Sequence, residues 1–261
     1  DRLDPVANRA ASDYAEAARA KGGRVKFAYL SVDFANPTGE TVSLAVRRRV
    51  LDLADELDIA VIEDAAYQSL RFDGEAVPPI LALDIERNGG IENSRTLYCS
   101  SFSKTLSPGL RVGWVCAAKP AIAKLVLMKQ AADLHSPTLN QMAVHRVATA
   151  MFERQVETVR AAYKAKRDRM LTCLEARMPA GVAWSRPQGG MFVWLTLPAG
   201  LDAAELLAKS LETERVAFVP DRAFFADGSN ANTLRLNFTR TSEADIDEGI
   251  RRLARLLEAQ T

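Results

Sequence analysis

Residues 59–64, Ile-Ala-Val-Ile-Glu-Asp, form a short apolar run closed by two carboxylates. A run of this length and character is expected of a strand covered on both faces. Immediately upstream, Ser43–Leu57 carries Leu44, Val50, Leu51, Ala54 and Leu57 at helical spacing, and Val25–Val32 is strand-like. Strand, helix, strand in that order is a βαβ unit, because two parallel strands need a crossover between them. The stretch at 59–64 therefore points to an α/β fold with a mostly parallel sheet.

Working outward, residues 5–21 have helical composition and stop at Gly22-Gly23. Asn36-Pro37-Thr38-Gly39 has the chemistry of a turn. Thr96–Cys99 and Gly113–Ala118 are two further strand candidates. From Pro120 to Arg177 the pattern is helical, broken near Ser136-Pro137, and ends in a long helix from about Glu153. After Pro179 the character changes. Val182–Ser185, Met191–Leu197, Val216–Val219 and Thr233–Thr239 are strand-like, with helices at Asp202–Thr213 and Ser242–Ala259. The expected organisation is a large domain over residues 1–152, a connecting helix over 153–178 and a smaller α+β domain over 179–261.

The chain has 261 residues and is 48% hydrophobic, enough for a sizeable core and against disorder. Its formal net charge is only +1, which gives no electrostatic case for nucleic acid or an anionic membrane. The three cysteines, Cys99, Cys116 and Cys173, have no metal-ligand spacing and read as small buried hydrophobes in a reducing compartment. With only two histidines, His135 and His145, a His-rich metal site is not expected. There is no apolar run of membrane-spanning length and no signal-peptide pattern at the start, so a soluble cytoplasmic protein is expected. Trp114, Trp184 and Trp194 are assigned to the core. Arg47-Arg48-Arg49 and Arg251-Arg252 are assigned to solvated helix faces.

In open α/β sheets, ligands sit outside the carboxyl ends of the strands. Three polar clusters are expected there: Asn36 after the first strand, Asp64 and Tyr67 after the second, and Ser101–Lys104 after the third. Each alone has a bland reading, as a turn, a cap or a solvated charge; their shared position at one sheet end is what counts. A carboxylate, an amide, a phenol, a lysine amine, serine hydroxyls and Arg111 together match pyridoxal phosphate. It offers an aldehyde, a pyridine nitrogen, a ring oxygen and a phosphate. Covalent attachment would also remove the cost of an isolated buried lysine.

The strings Asn36-Pro-Thr-Gly39, Glu63-Asp-Ala-Ala-Tyr67 and Ser101-Phe-Ser-Lys-Thr-Leu-Ser-Pro-Gly-Leu-Arg-Val-Gly-Trp114 resemble, in order and spacing, the signature of class I/II aminotransferases of fold type I. Further strings, among them Pro187-Gln-Gly-Gly-Met-Phe-Val-Trp194 and Asn232-Thr-Leu-Arg-Leu236, resemble one branch. That branch holds 2-aminoadipate (LysN-like) aminotransferases and the aminotransferase-like domains of MocR regulators. The resemblance implies that Lys104 bonds the cofactor aldehyde and then shuttles the proton, and that Asp64 pairs with the ring nitrogen. It implies that Asn36 and Tyr67 hydrogen-bond the ring oxygen, and that Ser101, Ser103 and Arg111 bind the phosphate. Arg235 alternates with Leu234 and Leu236 on a polar strand face, where a solvated arginine is the ordinary reading. Its match to the family's substrate arginine implies a fork for an α-carboxylate, with Asn36 beside it. Gly189-Gly190 is read equally as a hairpin turn or as close backbone approach to substrate.

The resemblance also implies a homodimer, amino acid and 2-oxo acid substrates, and a ping-pong amino transfer. The substrate is pointed toward 2-aminoadipate or other dicarboxylic, aromatic or branched amino acids. Two alternatives share the same residues: the effector domain of a MocR-type transcription regulator, and a lyase or decarboxylase using the same cofactor. Family members carry a long segment before the point matching Asp1, so the chain is expected to be a fragment whose sheet leaves apolar surface uncovered. Ala35 stands where glutamine commonly precedes the Asn-Pro-Thr-Gly string.

Overall fold

A computed structural model describes residues 9–220, 222, 224–225 and 231–260. Residues 5–8 of the first expected helix lie outside it. The chain divides into two units. The first takes in residues up to Asp33, Thr41–Ser69 and Glu75–Val156; the second takes in Phe34–Glu40, Leu70–Gly74 and residues from Glu157 onward.

In the first unit, α1 (Ala11–Ala20) and β1 (Phe27–Leu30) lead to α2 (Leu44–Leu57) and β2 (Ala60–Asp64). Ser43 starts α2 because its side chain accepts the Val46 N–H at 3.4 Å. Asp58 ends the helix with φ 51°, in the left-handed region. Then follow α3 (Ile80–Asn88), β3 (Thr96–Ser101), β4 (Gly113–Cys116) and α4 (Lys119–Ala132). The sheet order is β1-β2-β3-β4; the first three strands are parallel and β4 runs antiparallel to β3. The expected βαβ unit is present.

Four expectations fail in this unit. β2 is not covered on both faces: Val61 and Glu63 are buried, whereas Ala60, Ile62 and Asp64 are only half-buried. The core lies on one side, where Val50, Leu51, Ala54, Val61, Ile80 and Leu83 meet. The other side exposes Phe27, Tyr29 and Val115. Arg47 is not on a solvated helix face but fully buried, as it shares the apolar stripe of α2 with Val50, Leu51 and Ala54. Its guanidinium is completely engaged. It pairs with Asp33 at 2.9 Å and donates to the carbonyls of Val32, Val42 and Pro78. Trp114 is 43% exposed rather than core, lying tilted against Tyr98 on the edge strand. Cys99 and Cys116 are half-buried, and only Cys173 is fully so.

The helical stretch α5 (Thr138–Arg177) breaks its helical geometry at Met151, and the two units divide a few residues later. The second unit carries β5 (Ala183–Trp184), β6 (Phe192–Thr196), α6 (Ala203–Lys209), β7 (Val219–Pro220), β8 (Thr233–Asn237) and α7 (Glu243–Glu258). Its antiparallel sheet has the order β5-β6-β8-β7. Ser242 and Asp245 form a reciprocal cap at the start of α7. That helix buries Ile246, Ile250, Leu253 and Leu257 against Leu174, Val193, Leu195, Leu234 and Phe238. No described helix is long and apolar enough to cross a membrane.

Candidate functional site

In the first unit the candidate residues gather where parallel strands end. Asp64 is the last residue of β2, opposite Cys99 of β3. The chain turns there because Asp64 Oδ1 accepts the N–H of Ala66 at 3.1 Å. The same turn brings Tyr67 under cover at 8% exposure. After β3, Ser101 caps a single helical turn, Phe102–Lys104, by accepting the Ser103 N–H at 3.0 Å. That turn presents Lys104, whose Nζ lies 5.8 Å from the centre of the Tyr67 ring. The loop returns through Arg111, which has φ 54° and donates to the Pro108 carbonyl at 3.1 Å. One amine, one carboxylate, one phenol, two serine hydroxyls and one guanidinium thus follow the ends of two adjacent strands.

Asn36 and Arg235 belong to the second unit, and there they meet: the Arg235 guanidinium donates to Asn36 Oδ1. Arg235 stands on β8 between Trp194 of β6 and Val219 of β7. Its guanidinium carbon lies 4.2 Å from the Phe192 ring centre and 5.2 Å from that of Phe224. Two aromatic faces hold the fork by cation–π attraction. Asn36 is held by its loop, in which Gly39 N–H donates to Ala35 O at 2.7 Å and Ala35 N–H to Glu40 O at 2.9 Å.

Gly189 and Gly190 explain that loop's seat. A Cβ on Gly190, which has φ +76°, would stand 2.5 Å from the Phe34 Cβ, and one on Gly189 would collide with the Phe34 ring and the Leu70 carbonyl. Within this unit the close approach is to Phe34, two residues before Asn36. His135 and His145 are exposed. Among the described residues no three or more His, Cys, Asp or Glu side chains cluster as for a metal ion.

Tyr29 is the residue that sequence reasoning missed. Its hydroxyl donates to Asp64 Oδ2. Burial of the hydroxyl, then the hydrogen bond and charge of Asp64, push the phenol up to about 12. Nothing in the sequence marks it, since a tyrosine in an apolar strand reads as packing.

The fit to pyridoxal phosphate follows from the chemistry of this set. Asp64 can accept from a protonated ring nitrogen, and Tyr67 carries a hydroxyl for the ring oxygen. Lys104 supplies a primary amine for an aldehyde. Ser101, Ser103 and Arg111 supply the donors that a phosphate needs.

The family described as aminotransferase class I and II matches residues 20–253. A 2-aminoadipate transaminase from Thermus thermophilus is 46% identical over 238 residues, which cover 91% of this chain and 59% of that protein. The crystal structure of LysN, an α-aminoadipate aminotransferase of Thermus thermophilus complexed with N-(5'-phosphopyridoxyl)-L-leucine, matches with a TM-score of 0.85 at 43% identity. It covers 94% of this chain and 62% of its own. An uncharacterised HTH-type transcriptional regulator from Bacillus subtilis is 30% identical over 227 residues, covering 87% of this chain and 45% of the regulator. The chain thus spans about three fifths of the length of the first two.

Proposed function

Since this chain belongs to the class I and II aminotransferase family, we propose that the whole protein transfers an amino group between an α-amino acid and a 2-oxo acid with pyridoxal phosphate. The fold is that of the fold type I enzymes, a mixed α/β sheet unit with a smaller antiparallel unit. The observation that carries the proposal is the Lys104 amine over the Tyr67 ring, in the same unit as the Asp64 carboxylate.

The bound cofactor draws electrons from the carbon bonds beside the substrate nitrogen. The protein's residues supply the rest. Lys104 gives the attachment point and moves a proton at the substrate α-carbon. Asp64 accepts from the ring nitrogen and holds a proton there. Tyr67 donates to the ring oxygen. Ser101 and Ser103 hydroxyls and the Arg111 fork bind the phosphate. Arg235, gripped by Phe192 and Phe224, binds the substrate α-carboxylate with both N–H arms, and Asn36 orients it.

The substrate side chain belongs to the same proposal: 2-aminoadipate first, then other dicarboxylic, aromatic or branched amino acids. So do a homodimer and a cytoplasmic setting. The regulator reading is the weaker one, supported by 30% identity against 46% for the transaminase. In the whole protein, borohydride reduction followed by peptide mapping is expected to label Lys104, and Lys104→Ala to abolish both label and turnover. A label that persists in Lys104→Ala sinks the proposal. Amino acids that never convert the bound cofactor to its amine form would favour the regulator.

A further inference from the structure

Tyr29 stands on β1 opposite Ile62 of β2. Asp64 is two residues beyond Ile62, so the two side chains share a sheet face. There the Tyr29 hydroxyl donates to Asp64 Oδ2, while Oδ1 accepts the Ala66 N–H. The carboxylate is held at both oxygens, once from its own turn and once from the neighbouring strand. A tyrosine kept for packing buries its ring and leaves its hydroxyl toward water. Here the hydroxyl is engaged by a carboxylate oxygen of the neighbouring strand. The phenol, pushed up to about 12, remains a donor through the ordinary pH range. Among the described residues, Tyr67 and Cys99 are further titratable groups that act on it. Burial first, then Asp64, raises the Cys99 thiol, so it stays neutral beside the carboxylate.

We infer that Tyr29 is a positioning residue for the cofactor's ring nitrogen, acting through Asp64 by fixing the carboxylate's orientation. The inference rests on the reading of Asp64 as the partner of that nitrogen. Each carboxylate oxygen has two acceptor sites, so the Tyr29 and Ala66 donors leave one on each for the ligand. A carboxylate oxygen held toward the nitrogen accepts its N–H, whereas one turned away leaves it without that partner.

The test uses the whole protein loaded with pyridoxal phosphate labelled with nitrogen-15 in the ring. Tyr29→Phe, Asp64→Ala and the double variant are compared by cofactor dissociation constant and by the ring nitrogen signal. Tyr29→Phe keeps the ring, and circular dichroism checks that each variant is folded. Its dissociation constant is expected to rise about tenfold, the scale of one hydrogen bond to a charged group. Its nitrogen signal is expected to move toward that of unprotonated pyridine, and kcat to fall with little change in KM. Asp64→Ala is expected to do more on both counts, and adding Tyr29→Phe to it to change neither. The inference is overturned if Tyr29→Phe leaves the nitrogen signal unmoved, or weakens binding equally with and without Asp64. If Asp64→Ala itself moves neither measurement, the reading of Asp64 fails as well.

Discussion

Glu63 and Asp64 are adjacent carboxylates at the end of one strand, and they face opposite worlds. Glu63 points to the core side and is completely buried; its oxygens accept the Ile80 and Leu81 N–H groups, at 2.9 and 3.0 Å, where α3 starts. On that same side lies the buried Arg47–Asp33 pair, and Asp84 takes the Arg95 and Thr96 N–H groups. Asp64, one residue on, points to the open side among Tyr29 and Cys99. The strand's two-residue period thus separates a carboxyl that fastens the fold from the one proposed to meet the cofactor. A buried charge is tolerated when every partner is fixed; an offered one must keep an acceptor site spare.

The largest effect should come from the fastening side. Removing Arg47 leaves Asp33 buried without its partner and strips donors from the carbonyls of Val32, Val42 and Pro78. Breaking a buried pair at one partner costs about 3–5 kcal/mol. Urea unfolding of Arg47→Ala is expected to show a loss on that scale. A loss under about 0.5 kcal/mol, the size of an ordinary surface change, would break the distinction between the two faces.

Arg47 also marks what was legible. Arg47-Arg48-Arg49 looks like a solvated charge run, yet Leu44, Val50, Leu51 and Ala54 stand three, three, four and seven residues from Arg47. Helical spacing alone puts Arg47 on the apolar stripe and its neighbours off it. The βαβ order and the strand-end residues Asp64, Tyr67 and Lys104 could be read because strands, turns and polar clusters leave local patterns. The membership of Phe34–Glu40 in the second unit could not, since it depends on the close packing of Gly189 and Gly190 against Phe34, far along the chain. The Tyr29–Asp64 bond could not either, because register between strands is not written in either strand alone.

Glu63→Gln should cost less than the arginine change. Glutamine keeps one acceptor but turns an N–H toward a donor, leaving one group at the start of α3 unsatisfied, at about 1–3 kcal/mol. It also carries a pH signature. Burial pushes the Glu63 carboxyl up from its ordinary 4.5, against the pull of the Leu81 and Ile80 N–H groups and Arg47. Between the ordinary and the raised value the folded state binds the extra proton. The Glu63 contribution is therefore full below 4.5 and lost as pH rises through the raised value. The difference in stability between native protein and Glu63→Gln should shrink across that window. A difference that grows with pH would show that the buried carboxylate is ionised throughout and that helix N-terminus and Arg47 outweigh its burial.

Asp64→Asn is the sharpest comparison because its expected effect on folding is the smallest. The carboxylate is half-buried and touches the rest of the unit through the Ala66 N–H and the Tyr29 hydroxyl. Asparagine retains a carbonyl oxygen for either donor, so unfolding without cofactor should move by no more than about 0.5 kcal/mol, as for a surface change. Cofactor affinity should fall at the same time, because an amide oxygen cannot hold a proton on a facing nitrogen as a carboxylate does. Equal stability losses in Asp64→Asn and Glu63→Gln would mean that both carboxylates fasten the fold and that neither face is reserved for a ligand. A fall in affinity with stability unchanged would mean that one step along the strand exchanges a structural carboxyl for a chemical one.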